Sequence, residues 1–156
     1  MDGAARSTVT AAFPEVVRRL GLMVRACAIM RDHVHVVVMR SRHRIEYIVN
    51  QLKGGATRAL GLKRTPWTRG GWKVFLNDEA ALGAAVEYVE ANPPAAGLPP
   101  QCWDFVTLLP AGCRSCCNSR TANGLDRGRA LPAIVPIHRD DGGRPRLNTA
   151  RRARDA

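Results

Sequence analysis

Two apolar runs separated by two polar residues constrain the fold of this 156-residue chain most strongly. The first run spans residues 22–30, and the second, HVHVVVM, spans residues 33–39 and is rich in valine. Both have the length of a β-strand, and valine favours extended backbone. Because Arg31 and Asp32 leave room only for a tight turn, the two strands are expected to pair as an antiparallel hairpin.

Helical segments and one further strand are predicted around this hairpin. Apolar residues recur with a 3.6-residue period in the longest segment, while proline, glycine and polar caps mark the segment ends. In chain order the segments are a helix at residues 14–20 with Pro14 in its first turn and Gly21 as its stop, a helix at residues 45–60, a strand at residues 71–76, and a helix that begins at Asn77 or Asp78 and ends at Pro93-Pro94. This order favours an α+β fold, with an antiparallel sheet and helices on one face.

Charge and cysteine usage restrict the class of protein. The net charge is +11 and the isoelectric point is about 10.7, which favours nucleic acid, and after it an anionic membrane surface, as the partner. No apolar run reaches the roughly 18 residues of a membrane span, so no membrane insertion is expected. The polar N-terminus is not typical of a secretory signal, and an odd number of cysteines, 5, favours a reducing cytoplasmic location.

The composition changes near residue 110, which divides the chain into a domain at residues 11–109 and a tail at residues 110–156. The tail contains 10 arginines, no lysine, 4 aspartates and no aromatic residue, and it is expected to be mostly disordered. It could be a solvated tail or an arm that binds phosphates, and its ALPAIVPI stretch could dock somewhere. Cys113 and Cys116 could begin a zinc site or be spare thiols.

Two residue pairs could carry chemistry. His33 and His35 point to the same face of a strand, where they could hold a divalent cation, or could simply face solvent or a hydrogen-bonding neighbour. Tyr88 and Asn92 lie one helical turn apart, although tyrosine at a surface boundary and asparagine near a helix end are also ordinary. Together, two imidazoles and an amide oxygen could hold a metal that polarises a phosphodiester, which the tyrosine hydroxyl could attack. Asp32 could orient an imidazole or serve only in the turn.

These residues occur within longer motifs that resemble a known family. The motifs are AIMRDHVHVVV, IEYIVNQLKGGATRAL, W-x-R-G-G-W-K-V-F-L-x-D and YVEANPPAAGLPPQCWDFV, over about residues 22–106. They resemble the HUH single-tyrosine transposases of the insertion sequence 200/605 type, and most closely the REP-associated tyrosine transposases. The resemblance implies a ferredoxin-like HUH domain in which His33, His35 and Asn92 bind Mg²⁺ or Mn²⁺ and Tyr88 is the nucleophile. It also implies cleavage of single-stranded DNA near hairpins through a 5′-phosphotyrosine, and rejoining of strands.

The chain also departs from this family. Family domains begin with a strand before the first helix, whereas only MDGAARSTVT precedes the first predicted helix here. An N-terminally truncated domain with an exposed sheet edge is therefore expected. Two alternatives to an active enzyme follow from the truncation, a non-catalytic DNA-binding remnant and an unstable product without a cooperative fold. Separately, Tyr47 is the alternative to Tyr88 as the nucleophile.

Basic residues near these motifs are predicted to contact DNA phosphates, with a solvated surface as the alternative. They are Arg40, Arg42 and Arg44 after the histidine strand, Lys53 and Arg58 on the exposed face of the helix at residues 45–60, and Lys73 in the short strand. The expected partner is single-stranded or hairpin DNA, and the chain could form a homodimer.

Overall fold

The computed structural model describes residues 1–70, 72–107 and 133–139 of the chain. The elements within these ranges are α1 (Gly3–Leu20), β1 (Val24–Ile29), β2 (His33–Val38), α2 (Ile45–Ala59), β3 (Val74–Phe75), α3 (Glu79–Ala95) and β4 (Ala133–His138). The predicted hairpin is confirmed as β1 and β2. All four described strands form one antiparallel sheet in the order β1-β2-β4-β3, so the predicted α+β class is also confirmed.

The first helix, α1, starts well before the predicted residues 14–20. The Asp2 side chain caps it by accepting a hydrogen bond from the Ala5 N–H at 2.8 Å. Pro14 lies inside the helix rather than in its first turn, because the alanine-rich residues before it have high helix propensity. Gly21 ends the helix as predicted, with a φ of 60° in the left-handed region.

Helices cover both faces of the sheet. On one face, α1 and α2 bury Val34, Val36 and Val38 of β2. On the other face, α3 covers Val37 of β2 together with small residues of β1. The prediction that the helices share one face is therefore wrong for α3. A strand that is buried on both sides needs no alternation of apolar and polar residues, and β2 ends in three successive buried valines at residues 36–38.

β4 comes from the segment that was predicted to be a disordered tail. It pairs with β2 on one side, with His138 opposite His33, and with β3 on the other side. Val135 and Ile137 are each 1% exposed and belong to the core beneath α1 and α2. The prediction of disorder is wrong for residues 133–139, and the remainder of that tail lies outside the described residues.

The position of β4 contradicts the expectation of an exposed edge beside β2. It lies between β2 and β3, which is the interior place that the first strand takes in a ferredoxin-like βαββαβ sheet. β2 therefore has hydrogen-bonded neighbours on both sides rather than the exposed edge that was expected. The strand that carries the two candidate histidines is thus an inner strand.

Residues 101–107 cover the free edge of β1. The Gln101 side chain accepts a hydrogen bond from the Ile29 N–H at 2.8 Å and donates one to the Ile29 carbonyl at 3.0 Å. The Trp103 indole N–H donates to the Cys27 carbonyl at 3.0 Å. These bonds satisfy backbone groups that would otherwise be open to pairing with another chain. Across the described ranges, the helices are too short or too polar to cross a membrane.

Candidate functional site

His33 and His35 lie side by side on the face of β2 that α3 partly covers. Their Nε2 atoms are 3.0 Å apart, and their ring centroids are 4.6 Å apart. His35 is 8% exposed, whereas the side chain of His33 is 21% exposed and lies nearer the surface. The spacing of the two residues therefore brings their ring nitrogens together, as predicted from strand geometry.

Asp32 in the hairpin turn sets the orientation of His33. Its Oδ1 lies 2.7 Å from His33 Nδ1, so we assign the proton to Nδ1, which donates it and leaves the Nε2 lone pair directed at His35. Partial burial opposes ionisation of Asp32, but the hydrogen bond from His33, together with the positive charge that His33 carries when protonated, outweighs it, so the pKa of Asp32 lies below its usual value. Asp32 is therefore a charged acceptor at neutral pH.

The environment also keeps His35 neutral. Burial is the main cause that lowers the pKa of His35 to about 4, and the positive charge that His33 or His138 carries when protonated lowers it further. A neutral imidazole has a nitrogen lone pair, and metal coordination requires such a lone pair. At pH 7 His35 is therefore in the form that could bind a cation.

Tyr88 of α3 lies against this histidine pair. Its ring centroid is 5.6 Å from that of His35 in an edge-on arrangement, with 79° between the ring planes. The tyrosine side chain is 56% exposed, so a substrate could reach its hydroxyl. Asn92 lies one turn further along α3, and its Nδ2 donates to the Tyr88 carbonyl at 2.7 Å. The amide oxygen of Asn92 is then the atom available as an acceptor.

The end of α3 differs from the prediction. The helix was expected to stop at Pro93-Pro94, but it continues through both prolines to Ala95. Proline ends a helix by removing backbone donors, and the helix here continues for less than one turn beyond them. Asn92 is consequently an internal helix residue that shares the rigid frame of Tyr88.

The histidine pair fits a divalent cation in part. In octahedral coordination, two adjacent ligand atoms that each lie about 2.1 Å from the ion are about 3.0 Å apart, and this equals the Nε2–Nε2 separation of 3.0 Å. His33 has the carboxylate partner that is typical of a metal-bound imidazole, whereas His35 Nδ1 is buried and has no hydrogen-bond partner among the described residues. In the described ranges no three His, Cys, Asp or Glu side chains are grouped to hold a metal ion. Further ligands would have to be an amide oxygen or water.

The arginines that follow β2 lie away from the histidine pair. Arg40, Arg42 and Arg44 are exposed in the link between β2 and α2. Since β2 rises about 3.3 Å per residue, its length from His33 to Val38 is about 17 Å. This link therefore lies at the opposite end of the sheet from His33.

The two predicted DNA-binding lysines have partners within the protein. The expectation that Lys53 lies on an exposed helix face is wrong, because it is 8% exposed and its ammonium donates to the carbonyls of Thr68, at 2.8 Å, and Gly70. The loop after α2 folds back over this side of the helix, and the resulting burial lowers the pKa of Lys53. Lys73 forms an ion pair with Glu46.

A basic cleft of about 520 Å³ lies between α2 and this returning loop. Its cationic lining residues are Lys53, Arg58, Lys63 and Arg69, and no acidic side chain occurs among its described lining residues. Sequence reasoning found Lys53 and Arg58 but missed Lys63 and Arg69, because a loop has no periodicity that shows which side chains converge. The concentration of basic residues just after α2 was the available signal.

A comparison of the sequence with models of known protein families identifies the family of this chain. The family model described as "Transposase IS200 like" matches residues 1–92 of the 156-residue chain. The chain belongs to the IS200-like transposase family. This membership makes DNA the partner and DNA processing the general activity. The matched part of this transposase contains His33, His35, Tyr88 and Asn92, whereas β4 lies beyond it. Comparisons with curated proteins and with solved structures give no significant match.

Proposed function

We propose that this transposase is a metal-dependent single-strand DNA endonuclease and strand transferase of the HUH type, with Tyr88 as its nucleophile. The observation that carries the proposal is the edge-on contact between the exposed Tyr88 ring and His35, whose Nε2 lies 3.0 Å from that of His33. A nucleophile next to two imidazole nitrogens that could hold a metal is suited to attack on a phosphodiester. The four quoted motifs support the REP-associated branch as the nearest subgroup.

In the proposed reaction, Tyr88 Oη forms a bond to phosphorus and the bond from phosphorus to the 3′ oxygen breaks. The phenol proton passes through water to the departing oxygen, which becomes a 3′-hydroxyl. The DNA on the other side of the break stays attached to Tyr88 as a 5′-phosphotyrosine. In strand transfer, a 3′-hydroxyl attacks this phosphorus, and the proton it loses restores the Tyr88 phenol.

His33, His35 and Asn92 are the proposed ligands for Mg²⁺ or Mn²⁺. When bound, such a cation stabilises the negative charge that develops on the phosphodiester oxygens. Two imidazoles and an amide oxygen are neutral, so they leave the charge of the cation undiminished for the phosphate. Asp32 holds His33 in the ligating orientation, and the Asn92 nitrogen donates to the Tyr88 carbonyl, which leaves the amide oxygen for the metal.

The basic cleft and the exposed arginines are proposed to bind the backbone of single-stranded or hairpin DNA. Arg58, Lys63 and Arg69 line the cleft, and phosphate contacts of this kind position DNA without reading its sequence. Lys53 is proposed to act on DNA indirectly, because its ammonium holds the loop that carries Arg69. Lys73 and the arginines after β2 remain predicted phosphate contacts. The homodimer also stays a prediction, which light scattering of the purified protein would test.

A covalent-adduct assay tests the proposed chemistry. Full-length protein is incubated with Mn²⁺ and a pool of hairpin-bearing single-stranded DNA labelled at the 3′ end, and the products are separated on a denaturing gel. The 3′ label is needed because the fragment that carries the 5′-phosphate is the one expected to stay on the protein. We expect a labelled protein band that disappears when EDTA replaces Mn²⁺, or when His33→Ala replaces the wild type.

The two tyrosines provide a matched pair of variants for this assay. Tyr47 is 45% exposed and its ring lies 5.3 Å from that of His43, so Tyr47→Phe removes a comparable phenol beside a single histidine. We expect Tyr88→Phe to form no adduct while it still binds DNA, and Tyr47→Phe to react as the wild type does. An adduct that survives in Tyr88→Phe and is lost in Tyr47→Phe would reverse the assignment.

A non-catalytic DNA-binding protein is the second candidate function. It is favoured by the basic cleft, whose described lining has four cationic side chains and no acidic one. In that case no protein in the assay forms an adduct. DNA binding would still fall steeply with salt, because the basic cleft releases counterions from the phosphates when it binds.

A further inference from the structure

Three of the 4 histidines in the chain share one face of two neighbouring strands. His138 of β4 lies directly opposite His33 of β2, and directly opposite residues of paired strands project to the same face. The ring centroids of His138 and His33 are 5.3 Å apart, with 32° between the planes. His35 contacts His33 from another direction, at 4.6 Å between ring centroids. His33 is therefore flanked by two imidazoles, one of them supplied by β4.

Backbone hydrogen bonds fix the end of β4 that carries His138. On one side, the Arg139 N–H donates to the Asp32 carbonyl at 2.7 Å. On the other side, the Thr68 N–H donates to the His138 carbonyl at 2.9 Å, and the Thr68 hydroxyl donates to the same oxygen at 3.3 Å. Because these bonds use the backbone of His138 and Arg139, a substitution at His138 removes the imidazole while it leaves the strand in place.

The arrangement favours a supporting role for His138 over a ligand role. Within the described ranges no three His, Cys, Asp or Glu side chains are grouped to hold one metal ion, so His138 does not complete a three-histidine centre. The ring torsion of a histidine has broad minima, and packing against neighbours is what restricts it. His33 must keep its Nδ1 on Asp32 for its Nε2 to face His35, and the His138 ring packs against it in this orientation.

We propose that His138 is a positioning residue for the histidine pair, because its ring holds His33 in the orientation that turns Nε2 toward His35. The proposal rests on the proposed function in one respect, namely that this pair binds the metal. It extends the candidate site beyond the family-matched residues 1–92 to the C-terminal strand. β4 then contributes a positioning residue to the transposase site as well as a strand to its sheet.

The test uses the full-length protein with His138→Ala and His138→Phe, and His43→Ala as the matched control. Two quantities are measured, the Mn²⁺ affinity by calorimetry without DNA and the His33 tautomer by NMR of metal-free, ¹⁵N-histidine-labelled protein. We expect His138→Ala to weaken Mn²⁺ binding about tenfold, as is typical when a group that orients a ligand is lost, and to give a mixture of His33 tautomers. His138→Phe keeps a ring at the contact and is expected to match the wild type, as is His43→Ala.

The tautomer measurement needs no metal, so it separates this proposal from the proposed function. If the wild type binds no Mn²⁺, the metal chemistry of the proposed function fails and the His33 tautomer alone decides the role of His138. A tautomer that stays unchanged in His138→Ala overturns the proposal. It is equally overturned if His138→Phe behaves as His138→Ala does, because a ring nitrogen rather than ring packing would then be required.

Discussion

Replacing Ile137 with alanine removes three carbons from a side chain that is 1% exposed in the core beneath α1 and α2. Each buried carbon of this kind contributes about 0.8 kcal/mol, so loss of burial alone costs roughly 2.4 kcal/mol. The cavity that remains adds to this cost, because β2 and β3, which pair with β4 on either side, limit collapse. We therefore expect Ile137→Ala to lower the free energy of unfolding by about 3 kcal/mol.

Urea unfolding of the full-length protein, followed by circular dichroism, measures this quantity. Val74→Ala is the matched control, since Val74 lies in β3 of the same sheet but is 42% exposed, and its expected cost is about 0.5 kcal/mol. If Ile137→Ala costs no more than Val74→Ala, β4 does not lie inside the sheet, because an isoleucine in a solvated tail loses no packing when it is shortened. If the wild type shows no cooperative unfolding transition, the alternative that the chain is an unstable product without a cooperative fold would be favoured.

Three further substitutions test other parts of the fold by the same unfolding measurement or by proteolysis. Trp103→Phe removes the indole donor to the Cys27 carbonyl and is expected to cost about 1 kcal/mol; no cost would mean that the β1 edge is not covered in solution. Gly21→Ala places a Cβ in open space at a φ of +60°, so backbone strain alone is expected to cost about 1 kcal/mol. Lys53→Met removes the donor to the Thr68 carbonyl and is expected to speed trypsin cleavage in the loop after α2 and to weaken DNA binding; unchanged cleavage would contradict its anchoring role.

The hairpin and α2 could be predicted because their signals are local. The two apolar runs around Arg31 and Asp32 specify β1 and β2, and the apolar period over residues 45–60 specifies α2, which ends one residue earlier than predicted. The second covered face of the sheet could have been inferred from β2, because a strand buried on both sides needs no polar alternation.

β4 could not be predicted from local pattern. Its partner His33 lies about 100 positions earlier than His138, and pairing over such a separation leaves no periodic signal in a short stretch. The arginines around residues 133–138 gave the segment the composition of a solvated tail. Only the ALPAIVPI stretch indicated that part of this tail could dock.

The candidate site was only partly predictable, because some of its contacts follow from local pattern and others depend on long-range packing. Strand alternation brings His33 beside His35, and the order of motifs associates them with Tyr88, which contacts His35. The place of His138 depends on the pairing of β4, and the burial of Lys53 depends on a loop that folds back over α2. The residues adjacent in sequence to His138 and Lys53 therefore do not predict either arrangement.

Peptide mapping of the covalent adduct that the wild-type protein forms tests the central claim that Tyr88 is the nucleophile. Trypsin separates the two tyrosines, since Tyr47 lies in the peptide of residues 45–53 and Tyr88 in that of residues 74–114. After reaction with single-stranded hairpin DNA and Mn²⁺, and removal of excess DNA by nuclease, each peptide is weighed by mass spectrometry. We expect the added nucleotide mass on the peptide of residues 74–114 alone. DNA cleavage that leaves the mass on the peptide of residues 45–53, or on neither peptide, would contradict the proposed chemistry.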